Sequence, residues 1–244
     1  MALAGPEIDM LFTFLRQIAA RGSAAQSISN IAYGMGACIL QTAGALVIML
    51  SLAAPACAQQ RPARIVALGD SLSAGYLLPE KNAFPTVLER ALRQNGHKVE
   101  VSNAGVSGDT ASGGLERLDW AVGDGADLVI LELGANDMLR GVDPAITRKA
   151  LATILTRLKG QKIPVLLAGM VAAPGMGRDY ETKFNAIYPD LAREFGVPLY
   201  PFFMEGVAGN PALQLQDGMH PNGQGVEIIV RGILPSIEAL LPSK

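Results

Sequence analysis

From residue 63 onward the apolar positions follow two kinds of spacing. Short runs at Ile65–Leu68, Val99–Val101, Asp127–Leu133, Ile163–Met170 and Val197–Tyr200 have the length and the branched, apolar content of strands. Between them apolar residues recur three or four apart. Phe84, Val87, Leu88 and Leu92 form one such set; Leu115, Leu118, Trp120 and Val122 a shorter one; and Ile146, Leu151, Ile154, Leu155 and Leu158 a third. Tyr180 to Phe195 and Ile228, Ile229, Ile233 and Ile237 complete the series, and this spacing predicts helices. Gly96 and Gly196 stop two of them, while Asp143–Pro144 opens another as N-cap and first helical residue. Strands alternating with helices over 63–243 predict parallel βαβ units: an α/β fold of three layers, flavodoxin-like, with about five parallel strands and helices on both faces.

The first quarter of the chain is a different polymer. Residues 1–60 carry only Glu7, Asp9, Arg16 and Arg21 as charges, with none from Gly22 to Gln60. Ala43–Ala54 is an apolar core of the length of a secretory h-region, and Ala56–Cys57–Ala58 has the small-x-small form of a cleavage site. Residues 1–58 therefore read as an export signal region, leaving a single domain over 59–244 in the periplasm or outside the cell. The alternative is an inner-membrane anchor formed by residues 39–58, the one route to a membrane association. Cys38 and Cys57 both precede the cut, so the mature domain has no thiol chemistry and no cysteine-based metal site. A net charge of −2 without a basic block offers nothing to nucleic acid.

Chemistry gathers where the strands stop. Gly69–Asp70–Ser71, Asn103–Ala104–Gly105 and Gly134–Ala135–Asn136–Asp137 follow the first three strands, and in a parallel sheet those ends share one edge. Asp217–Gly218–Met219–His220–Pro221–Asn222, before the last helix, returns to it. A serine hydroxyl needs a base within hydrogen-bond reach and a third group to orient that base. The chain has two histidines, and His97 follows a helix toward the opposite edge, as an exposed loop imidazole. His220 is then the base for Ser71, with Asp217 orienting it, and activity follows a single protonation at His220. Donors for a developing oxyanion would be the N–H groups of Ser71 and Gly105 and the side-chain amide of Asn136. Gly69 allows a tight turn, and Asp70 and Asp137 order neighbouring loop amides. No metal and no cofactor is called for.

Gly69-Asp70-Ser71-Leu72, Gly105, Gly134-x-Asn136-Asp137 and Asp217-x-x-His220 resemble, in order, the four blocks of the SGNH (GDSL) hydrolases. Ser107-Gly-Asp-Thr110, Ala186-Ile-Tyr-Pro189 and Pro201-Phe-Phe-Met-Glu205 are similar to the bacterial periplasmic thioesterase I/lysophospholipase L1/arylesterase subgroup. The resemblance implies the same roles for Ser71, Gly105, Asn136, Asp217 and His220. It also implies a small-molecule acyl ester or thioester substrate, lysophospholipids included. Ala135 and Met138 stand where that subgroup often has glycines, beside the loop that borders its acyl site. Two other readings stay open: a carbohydrate O-deacetylase of the same superfamily, for which Trp120 is the lone tryptophan platform, and a non-catalytic binding module.

Overall fold

The computed structural model describes residues 61–241. The export region, its cleavage site and the 39–58 anchor lie outside the described residues. Five strands, β1 (Ala63–Gly69), β2 (Val99–Gly105), β3 (Leu128–Glu132), β4 (Val165–Ala168) and β5 (Leu199–Tyr200), pair in parallel in the order β2-β1-β3-β4-β5. That order is the flavodoxin-like one expected. The register sets Gly69 level with both Gly105 and Glu132, so the first three strands end on one line.

Among the described residues eight α-helices run between and after the strands: α1 (Ser71–Ala74), α2 (Phe84–Gln94), α3 (Ala111–Glu116), α4 (Leu118–Val122), α5 (Ala135–Leu139), α6 (Pro144–Gly160), α7 (Arg178–Phe195) and α8 (Gly223–Glu238). Every residue of β3 is buried, which requires cover on both faces of the sheet. α2 packs on α8, and α6 packs against both α3 and α7, giving the two outer layers. Asp143 caps α6 by accepting from Ala145 N (2.9 Å), and Gly196 ends α7 in the left-handed conformation. Both follow the sequence signals. Among the described residues no helix is long and apolar enough to cross a membrane.

Four details differ from the pattern. Strands β4 and β5 are shorter than their apolar runs. The single helix expected around Leu115–Val122 is broken at Arg117 into α3 and α4. Ile146 is 53% exposed; Thr147 is buried in its place because its hydroxyl bonds the Asp137 carboxylate (3.0 Å). His97 is not an exposed loop imidazole: its side chain is only 9% exposed, and Nε2 lies 3.2 Å from Glu238 Oε1 on α8. The helix turn-out after α2 carries the ring under that neighbour, which local sequence could not indicate.

One buried carboxyl stands out. Glu132 closes β3 with no solvent exposure; Oε2 accepts from Ser73 Oγ (2.8 Å), while Oε1 is buried with no hydrogen-bond partner among the described residues. Burial, and then the nearby Asp70 carboxylate, push its pKa well above the ordinary value of 4.5. A carboxyl whose native pKa is raised contributes stability below its unfolded pKa and loses it as pH rises toward the native one. Glutamine reproduces the neutral acid without that loss. The melting temperature of Glu132→Gln, relative to wild type, is expected to increase as pH is raised from about 5 to about 8; a difference that stays constant over this range would contradict the assignment.

Candidate active site

The turn after β1 is built by two side chains. Asp70 caps α1, its Oδ1 accepting from Leu72 N (3.0 Å), and Ser71 becomes the first helical residue, 8% exposed. The Ser71 N–H has no partner among the described residues, as befits a first-turn donor. Gly69 is required for a reason other than turn flexibility. Its φ is not positive, but a Cβ there would collide with Ser73 Oγ and come within 2.5 Å of Glu132 Oε2.

The His220 loop is held from the other side. Asn222 caps α8 through Gln224 N and Gly225 N (3.0 Å each), and its Nδ2 donates to Ala212 O (2.9 Å). Leu215 N donates to His220 O (2.8 Å), so the loop lies along residues 212–215. Asp217 Oδ1 accepts from the N–H groups of Met219 (2.9 Å) and His220 (3.0 Å), and Oδ2 lies 2.7 Å from His220 Nδ1. This leaves Nε2 for Ser71 Oγ, at 2.8 Å. With the Nδ1 proton on the carboxylate side, Nε2 accepts the hydrogen bond of the Ser71 hydroxyl. Partial burial raises the Asp217 pKa, but the two backbone donors and the imidazole outweigh it and lower it to about 2. The Tyr76 ring packs on His220 with centroids 4.4 Å apart.

Asn136 sits in the first turn of α5 and donates from Nδ2 to Asp70 Oδ2 (2.9 Å). One amide proton is thus fixed, and the planar group directs the second. Asp70 is fully buried; that burial raises its pKa, against the Leu72 and Asn136 hydrogen bonds, to about 6. Asp137 accepts from Ala111 N (2.8 Å) and from Thr147 Oγ1, and so joins α5 to α3 and α6. Met138 is buried, its sulfur accepting from Ala173 N (2.9 Å), which ties α5 to the loop after β4.

Gly105 departs from its expected role. Its N–H donates to Asn103 Oδ1 (3.0 Å), within its own turn, so it is not a free oxyanion donor. The residue is glycine because a Cβ would run into the backbone of Ala74 on α1 and approach Asp70 O to 2.8 Å. Three residues on, Gly108 has φ +87° and an N–H without a partner among the described residues. The Ser107-Gly-Asp-Thr110 block held that position in plain sight. Sequence reasoning also passed over Glu132, though a charge ending an apolar strand was visible, and Arg117. The Arg117 guanidinium donates to Ala104 O (2.7 Å), Gly69 O (2.9 Å) and Asp109 Oδ2. Trp120, 82% exposed on α4, lies toward the opposite edge, where its neighbour Asp119 meets Arg157 in the last turn of α6.

Residues 67–228 match the GDSL-like lipase/acylhydrolase family. An arylesterase of Vibrio mimicus is 39% identical over 177 residues, covering 72% of this chain and 87% of the relative. Thioesterase 1/protease 1/lysophospholipase L1 of Escherichia coli K12 is 39% identical over 178 residues, covering 72% of this chain and 84% of the relative. Among solved structures, AlinE4, an SGNH-hydrolase family esterase, superposes with a TM-score of 0.63 at 43% identity, covering 75% of this chain and 99% of the other. With these matches, and with a serine, a histidine and an aspartate in hydrogen-bonded succession at the sheet edge, the chain belongs to the GDSL-like lipase/acylhydrolase family of SGNH hydrolases and is an ester hydrolase.

Proposed function

We propose that Ser71, His220 and Asp217 are the catalytic triad of an exported esterase and acyl-thioesterase that works through an acyl-enzyme. The observation that carries this is the continuous run Asp217 Oδ2–His220 Nδ1 (2.7 Å) and His220 Nε2–Ser71 Oγ (2.8 Å). His220 takes the Ser71 proton as Oγ attacks the acyl carbonyl, and Asp217 stabilises the imidazolium that forms. The oxygen of the tetrahedral intermediate becomes anionic among three donors: the N–H of Ser71, the free amide proton of Asn136 and, in place of Gly105, the N–H of Gly108. His220 then gives its proton to the departing alkoxide or thiolate. Water, deprotonated by the same imidazole, releases the acid. Acyl and aryl esters, acyl thioesters and lysophospholipids are the substrate class, in line with the relatives' activities. Export rests on the apolar core at 43–54, the Ala56–Cys57–Ala58 site and the return of charge at Arg61 and Arg64.

Ser71→Ala is expected to abolish turnover and labelling by an organophosphonate, since among the described residues no other hydroxyl is hydrogen-bonded to His220. Asn136→Ala should still be labelled while its ester turnover falls by roughly 10²- to 10³-fold, about 2.7–4 kcal/mol. Near-wild-type hydrolysis by Asn136→Ala would reduce that residue to a structural role.

The pH profile separates the acids. Asp217, with a pKa of about 2, stays ionised throughout the working range and adds nothing to the acid limb. Asp70, at about 6, gains a proton as pH falls through that value and then holds the Asn136 amide less firmly. The acid limb of kcat/KM should accordingly be steeper than a single protonation, and Asp70→Asn should return it to one proton with a lower plateau. A wild-type limb of unit slope excludes Asp70 from the ionisations that matter.

Amino-terminal sequencing of material exported from cells making the full chain should begin close to Gln59. Recovery of residues 1–58 on the exported enzyme would favour the anchor.

A further inference from the structure

The loop that carries Gly108 is weakly held by its own backbone. Val106 N donates to Gly69 O (3.1 Å) and Asp109 N to Val106 O (3.1 Å); the N–H groups of Ser107 and Gly108 have no partner among the described residues. Val106 and Ser107 are exposed, so little apolar packing fixes the loop. Two guanidinium groups reach it instead. On one side Arg117, part-buried at the break between α3 and α4, bonds the Asp109 carboxylate while its two remaining nitrogens bond Ala104 O (2.7 Å) and Gly69 O (2.9 Å). One planar group thereby joins the loop to the end of β2 and to the residue two before Ser71. On the other side Arg140 Nη2 donates to Gly108 O (2.7 Å). Arg140 is the C-cap of α5, and its own N–H bonds Asn136 O (3.1 Å), so the loop is also fixed to the helix that carries the Asn136 amide.

We propose that Arg117 and Arg140 are positioning residues that clamp the 106–109 loop from its two sides and so aim the Gly108 N–H at the oxygen that becomes anionic on Ser71. This rests on the triad reading above and names what sets the geometry of its oxyanion site. Preorganised donors are effective only when aligned with the developing charge, and a misplacement near 1 Å costs about 10²-fold in rate. A guanidinium suits the task because its donors form a rigid planar fork that reaches three acceptors on three segments. A lysine ammonium is a point charge and cannot span them.

The test uses Arg117→Lys, Arg140→Gln and the double variant, each normalised to functional sites by phosphonate titration. Substrate is a short p-nitrophenyl ester. Two inhibitors separate the states: a trifluoromethyl ketone, to which Ser71 Oγ adds reversibly with its proton passing to His220 and the ketone oxygen becoming the oxyanion, and the product carboxylic acid, which forms no such adduct. For Arg117→Lys, kcat is expected to fall roughly 10- to 100-fold with KM within about twofold of wild type. Affinity for the ketone should fall in parallel while affinity for the acid is unchanged. Arg140→Gln should show a smaller loss of the same kind, and the double variant should lose less than the product of the singles because both act on one loop. If titrated Arg117→Lys and Arg140→Gln keep wild-type kcat and ketone affinity, the clamp is overturned, whatever happens to their melting temperatures. Should Arg117→Lys fail to fold, the exposed Arg140→Gln decides alone on the same readouts. Failure of the triad reading looks different: Ser71→Ala would then still be labelled or active.

Discussion

The hydrogen bond between His220 Nε2 and Ser71 Oγ, 2.8 Å long, joins residues 149 apart, and most of the surrounding structure serves to hold its two ends still. Neither end is held by its own backbone alone. Ser71 opens a one-turn helix whose cap is Asp70, and Asp70 is in turn tied to Asn136 on the helix that follows the neighbouring strand β3. His220 sits in a loop fixed by Asp217 and Asn222 and laid along residues 212–215. The parallel register, with Gly69 level with Gly105 and Glu132, is what allows these turns to meet. Shifting a strand by one residue would exchange its two faces and separate the clusters.

This arrangement has a thermodynamic cost that falls on the turn that carries Ser71. Two carboxyls, Asp70 and Glu132, are fully buried within contact of the same backbone, and burial raises the pKa of each. Removing these polar groups from water costs free energy that their hydrogen bonds must offset. They accept hydrogen bonds from four neighbouring donors, Asp70 N, Leu72 N, Ser73 Oγ and Asn136 Nδ2, which together set the pitch of α1 and the orientation of the amide. The Gly69 and Gly105 positions follow from the same crowding. Each lacks a Cβ because another segment occupies the space, not because the chain turns through a left-handed conformation there.

Much of this was legible in the sequence. The spacing of apolar residues determined the five strands and the long helices, since burial of a sheet on both faces forces continuous apolar runs and burial of a helix on one face forces a stripe. Glycine and polar residues at the strand ends marked the edge where Ser71, Asn136 and His220 gather, and Asp217-x-x-His220 was close enough along the chain for one turn to join them. What tertiary structure alone decided were matters of direction. Whether the Gly105 N–H was free depended on where the Asn103 side chain turned, and the N–H groups in this loop without a partner among the described residues are those of Ser107 and Gly108. Ile146, read as core, yields its place to Thr147 because Asp137 needs a hydroxyl there. His97 is covered by Glu238, far away in sequence, and Arg117 is notable only once Gly69, Ala104 and Asp109 stand around it. Periodicity reports which face a residue occupies; which atom a donor meets depends on segments that only the fold brings into contact.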